Sequence, residues 1–161
     1  MKQSTKKITG RLLPSVLILG IVLFFSSCTK DDAGVNVVYA ISGNASGSQT
    51  VPASSNSNGS GTISGTYNSS TKVMSYTTTW TNLTGAPVSG GLYTGATGEA
   101  GSSIALWSLG SGLTASGNIS ITTTLNAQQE ANLLAGKCYY LLATSANASG
   151  EIRGQITATA Q

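Results

Sequence analysis

The side chains in this chain that could do chemistry are few, and one type is missing: there is no histidine. Acid–base catalysis near neutral pH needs a group tuned to titrate there, and a serine nucleophile needs a base beside it. Beyond the first 35 residues the carboxylates are Glu99, Glu130 and Glu151. Glu99 and Glu151 could in principle pair as glycosidase-type carboxylates, but isolated carboxylates are normal in any domain. Glu130 falls in a short helical pattern, where a solvated face accounts for it. A copper or zinc centre built on several imidazoles cannot be assembled. The expectation is no catalytic residue, no metal and no cofactor, with an enzyme or metalloprotein as the weakest reading. Cys138 follows Lys137 and precedes Tyr139 in an apolar run. A reactive thiol wants a cation beside it, and on a strand Lys137 points to the opposite face, so Cys138 reads as core.

The most particular stretch is the C-terminal hairpin, Lys137 to Ile156. In Gly150-Glu151-Ile152-Arg153-Gly154-Gln155-Ile156 a period of two sends Ile152, Gly154 and Ile156 to one face and Glu151, Arg153 and Gln155 to the other. Two apart on one face, Glu151 and Arg153 can meet each other or a neighbouring strand, and a structural ion pair is the favoured reading. Before the loop Ser145 to Ser149, Lys137 to Thr144 is β-prone and almost wholly apolar.

Further strands are expected at Val35 to Ile41, Gly61 to Tyr67, Lys72 to Trp80, Ser103 to Trp107, Gly117 to Leu125, Cys138 to Thr144 and Glu151 to Thr159. Turn residues such as Asn68-Ser69-Ser70 and Gly110-Ser111-Gly112 lie between them. One helix is expected from Asn126 to Leu134, with Asn126 as cap, Gln129 completing a reciprocal box and Gly136 at the stop. The class is all-β: a Greek-key, immunoglobulin-like antiparallel sandwich in one domain over residues 37–161. Of the aromatics, Tyr93 is expected to be exposed. It lies in the Gly-rich segment Ser89 to Gly101, a loop able to present it to a ligand; no Lys in register and no following helix make that segment a phosphate cradle.

The hairpin resembles the end of the CHRD domain, where a Gly-Lys-x-Tyr strand precedes a Gly-Glu-Ile-Arg-Gly-Gln-Ile strand. The resemblance runs from about Val37 to Ala158. It implies a module whose molecular activity is poorly defined. The family's His-x-His motif matches Gly91-Leu92-Tyr93 and its later His matches Ala143, so the imidazoles are replaced; Thr50-Val51-Pro52-Ala53 keeps only part of a Glu-Val-Pro-Pro stretch. Gly91, Leu92 and Tyr93 are therefore the candidate ligand-binding residues.

At the N-terminus Lys2, Lys6, Lys7 and Arg11 precede the apolar run Leu12 to Phe25. Basic start, apolar middle and small residues at the end are the layout of a secretory signal. As a helix the run reaches about 21 Å, short of a hydrocarbon core of about 30 Å. Phe25-Ser26-Ser27-Cys28 resembles a bacterial lipobox, implying a signal peptide over 1–27, lipidation of Cys28 and a tether over 28–36. Lys30-Asp31-Asp32 behind the Cys resembles a signal that sends lipoproteins to the outer face of the outer membrane; a periplasm-facing anchor is the alternative. Removing the signal leaves four basic residues against five acidic ones, a net charge of −1. The basic charge of the precursor is then a targeting feature, and nothing remains to neutralise a run of phosphates, which argues against nucleic acid. The triplets beginning at Asn44, Asn58, Asn68, Asn82, Asn118 and Asn147 fit Asn-x-Ser/Thr, but in a chain this rich in Ser and Thr they carry no weight. The function expected is a membrane-anchored, non-catalytic binding or adhesion module for an extracellular protein or glycan. The alternative is a structural envelope component with no specific ligand.

Overall fold

The computed structural model describes residues 36–53 and 57–161, which fall within one compact unit. The expected signal peptide, Cys28 and most of the tether lie outside the described residues.

The all-β class is observed. Among the described residues nine strands form the sheet: β1 Val38–Ser46, β2 Ser60–Asn68, β3 Val73–Thr81, β4 Pro87–Thr94, β5 Ser103–Leu106, β6 Gly117–Thr124, β7 Cys138–Thr144, β8 Ile152–Gln155 and β9 Thr157–Ala160. The expected two-sheet sandwich is replaced by one continuous antiparallel sheet in the order β5-β4-β7-β8-β1-β2-β3-β6. The C-terminal strand causes this. β8 pairs with β7 on one side and with β1 on the other, and β9 continues along β1 in the same register, Ser46 facing Arg153 and Ser42 facing Thr157. What would be two sheets are thereby stitched together. The sheet curls nearly closed, so the Trp107 indole N–H, just past β5, donates to the Tyr76 hydroxyl on β3 at 2.9 Å.

The core lies inside this curl: Ile41, Ile63, Tyr67, Met74, Trp80, Leu92, Tyr140, Leu142, Ile152 and Ile156 are buried. Alternation is clean in β2 and β3, where every second residue faces water. It fails in β7, buried on both faces except at Leu141, which is why that strand reads as a continuous apolar run. The β2–β3 hairpin forms as expected, with the Asn68 side chain accepting from the Ser70 and Thr71 N–H groups. The helix α1, Ala127–Leu134, has the expected reciprocal capping box: Asn126 Oδ1 accepts from Gln129 N–H and Gln129 Oε1 from Asn126 N–H, each at 2.9 Å. Gly136 follows at φ +68°, the left-handed turn that favours glycine. Leu133 is the buried residue of α1, and Leu134 is exposed.

One strand lies outside the expected set. The glycines of Ser89 to Thr94 predict a loop, yet the segment belongs to β4, paired with the edge strand β5 on one side and with β7 on the other. A Cβ on Gly90 would lie 2.6 Å from the Trp107 ring and 2.8 Å from Leu142, so the glycine makes room for an indole rather than a turn. Gly90→Ala is expected to destabilise the fold by about 1–3 kcal/mol through overpacking, seen as a lower urea midpoint; an unchanged midpoint would show that Trp107 moves freely.

Candidate functional site

The outer face of β4, β7 and β8 carries three side chains in a row. Tyr93 of β4 stands opposite Tyr139 of β7, and their rings stack at 5.3 Å with 13° between planes. β8, on the far side of β7, places the Arg153 guanidinium 3.7 Å from the centroid of the Tyr139 ring. Residues 95–102 fold over this row. Arg153 Nη2 donates to the Ala96 carbonyl at 2.8 Å, Gln155 Nε2 to the carbonyls of Gly95 at 2.9 Å and Gly136 at 2.8 Å, and the Gly101 N–H to the Tyr139 hydroxyl at 3.2 Å. The covering segment thus leaves Arg153, on an outward face, only 2% exposed. Burial lowers the basicity of the guanidinium, opposed by Tyr139. Among the described residues no carboxylate pairs with it; its charge rests on an aromatic face, a contact worth about 2 kcal/mol when desolvated, and on neutral oxygens.

The structure separates the three expected ligand-binding residues. Leu92 points inward and is 1% exposed, as alternation along β4 requires. Gly91 is buried under the Tyr93 ring, and a Cβ there would lie 2.6 Å from the Ala105 carbonyl. Tyr93 alone reaches the surface, half-buried rather than exposed, on a strand rather than a loop. Desolvation and the neighbouring Tyr139 raise its phenol pKa.

The expected ion pair between Glu151 and Arg153 does not form. β8 begins at Ile152, so Glu151 lies just outside the strand and turns to partners other than those of Arg153. Glu151 is 0% exposed and surrounded by donors. Its Oε1 accepts from Ser57 Oγ at 2.8 Å and Thr84 N–H at 2.7 Å, its Oε2 from Thr84 Oγ1 at 2.6 Å and from Thr144 Oγ1. Burial alone would raise its pKa; the donors from Thr144, Thr84 and Ser57 outweigh it and hold the carboxyl below its ordinary value. Sequence reasoning missed Thr84 and Ser57, which lie in irregular segments remote from Glu151 and carry no local signal. This carboxylate ties the segment between β3 and β4 to the C-terminal hairpin. Glu99, by contrast, lies on the exposed part of the covering segment, so the two do not present a shared pair to a substrate.

Glu130 is not merely solvated. It bonds Lys72 Nζ at 2.6 Å, the one ion pair among the described residues, and accepts from the Tyr67 hydroxyl at 2.8 Å, joining α1 to the β2–β3 hairpin. The Lys72 bond comes first among the causes that hold its pKa down, against burial. Cys138 is buried as expected, its thiol pushed up to about 12 by desolvation. Among the described residues no group of three His, Cys, Asp or Glu is placed to hold a metal. Two shallow depressions, of about 310 and 320 Å³, lie away from Tyr93 on the outer face of the β1-β2-β3-β6 half, and no charged residue lines either.

Glu151→Gln turns an acceptor oxygen into an NH2 facing donors, and a loss of about 2–4 kcal/mol is expected. Because the folded pKa values of Glu151 and Glu130 lie below the unfolded one, their stabilisation is present above an unfolded Glu pKa of about 4.3 and is lost as pH falls through the folded values. Urea melts from pH 7 to pH 3 check both points: the wild type should weaken steeply below pH 4, and Glu151→Gln less steeply.

No curated protein and no solved structure matches the chain. The CHRD domain family does match, over residues 41–156, from within β1 to the residue that joins β8 and β9. That span contains the Tyr93–Tyr139–Arg153 row, the segment that covers it and the Glu151 donors, and the chain belongs to the CHRD domain family.

Proposed function

We propose that this chain is a non-catalytic binding or adhesion module of the cell envelope, held outside the cytoplasm by a lipid on Cys28, which engages an extracellular protein or glycan at Tyr93 and residues 95–102. The observation that carries this reading is the stacked row Tyr93–Tyr139–Arg153. It fixes an aromatic ring at the surface with its orientation already set, which lowers the ordering cost of binding a planar group or sugar ring. Family membership supports an extracellular, binding-type module. The Glu151 carboxylate, enclosed by hydroxyls and shut off from solvent, is committed to structure. Cys28, the signal-like run before it and Lys30-Asp31-Asp32 favour an outer-membrane anchor facing the cell surface. A structural envelope role without a ligand is the second reading, favoured by the neutral Ser/Thr outer face of β2, β3 and β6.

Pull-down of soluble glycans and envelope extract by the wild type, compared with Tyr93→Ala and with Val88→Ala on the exposed face of the same strand, tests the site. Retention should fall about tenfold in Tyr93→Ala, in the range of an aromatic hot spot, and be unchanged in Val88→Ala; equal retention by both removes the assignment. Protease added to intact cells should digest the domain, and Cys28→Ala should abolish its lipidation. Protection until the outer membrane is breached would place it in the periplasm.

A further inference from the structure

β6 ends the sheet: it pairs with β3 and, among the described residues, with no other strand. Its ladder shows which backbone groups are left over. The Leu125 N–H donates to the Lys72 carbonyl at 2.8 Å, one step beyond the Thr124–Val73 pair in the same register. Hydrogen-bonded and non-bonded pairs alternate along an antiparallel ladder. Ile119, Ile121 and Thr123 therefore spend their N–H and C=O on β3, while Asn118, Ser120, Thr122 and Thr124 turn theirs to the open edge.

Exposed edges are normally protected by charge, proline, bulges or shortness. β5, at the other end, has four residues, and its pairing with β4 slips between Leu92 and Tyr93. β6 has eight residues, no proline, no charge and an unbroken register with β3.

We infer that the β6 edge is the contact surface for a second copy of this chain, paired antiparallel about a two-fold axis at Ile121. In that register Ser120 faces Thr122 of the second copy and Asn118 faces its Thr124, so every outward N–H and C=O from Asn118 to Thr124 meets its complement. Sliding by two residues leaves groups at the strand ends without partners, and sliding by one sets side chains against the wrong face. The pattern is self-complementary on both faces. Inward, Ile121 meets Ile121 and Ile119 meets Thr123; both isoleucines are only partly buried in the single chain. Outward, hydroxyl meets hydroxyl or amide, continuing the Ser60–Thr81, Thr77–Ser120 and Ser75–Thr122 contacts at 3.0, 2.8 and 3.2 Å already present across β2, β3 and β6. No charge meets a like charge, as an isologous contact requires. One strand per copy buries less than the roughly 1,200 Å² of a stable interface, so the association depends on concentration.

The full chain in detergent, in a Cys28→Ala background, should sediment as a reversible monomer–dimer. Thr122→Pro removes an N–H that β3 does not use, together with the exposed Ser75 hydroxyl contact, and should weaken the dimer about tenfold with the fold retained by circular dichroism. Ile121→Cys gives a second readout independent of that variant. Non-bonded antiparallel pairs place Cα atoms about 4.5 Å apart, within disulfide reach. Oxidation should therefore link Ile121→Cys chains and leave Val88→Cys chains, altered at a residue 60% exposed, unlinked. A chain that stays monomeric at the highest concentration, a dimer indifferent to Thr122→Pro, or crosslinks from position 121 only to a different protein would overturn the inference.

Discussion

The fold depends on how two opposite charges, two residues apart near the C-terminus, are each removed from water without meeting. A buried ion is costly unless its hydrogen-bonding capacity is filled. Glu151 is filled by the Thr84 N–H and by the hydroxyls of Thr84, Thr144 and Ser57. Arg153 is placed on the Tyr139 ring and under the Ala96 carbonyl. Each solution fastens an irregular segment to the C-terminal hairpin. Glu151 holds the connection between β3 and β4, and Arg153 holds residues 95–102. The placement of two irregular stretches is thus coupled to the seating of one strand.

That strand also decides the architecture. Since β8 pairs with β7 and β1 at once and β9 carries on along β1, the sheet has no break between its halves. The candidate site is a by-product of this: the row Tyr93–Tyr139–Arg153 needs β4, β7 and β8 side by side, and the covering segment converts an outward face into an inward one. The other half, β2, β3 and β6, keeps a clean division between apolar inside and hydroxylic outside. One end of the molecule is therefore closed over a buried cation, and the other ends in a neutral strand whose backbone is half spent.

Local patterns were legible. The capping box of Asn126 and Gln129, the β2–β3 hairpin and the burial of Cys138 follow from signals within a few residues, where backbone geometry and side-chain chemistry agree. β4 was not legible, because Gly90 and Gly91 look the same whether they relieve a turn or admit the Trp107 ring and the Ala105 carbonyl. Glu130 looked solvated because Tyr67 and Lys72, which hold it, are remote in sequence. At Tyr93 the residue was legible as a surface aromatic, but its companions were not: that Leu92 faces the core follows only once the segment is known to be a strand.

By itself, the sequence determined the all-β class, the helix with its caps, the absence of imidazole chemistry and the family-specific closing motif. These rest on composition, on the period of two along strands, and on short-range capping. Only the tertiary structure decided that the sheet is continuous, that Glu151 and Arg153 go separate ways and that Tyr93 is braced by Tyr139. A strand's period says which residues share a face but not what covers that face or where the strand begins, and Glu151, one residue before β8, has a different set of partners from Arg153.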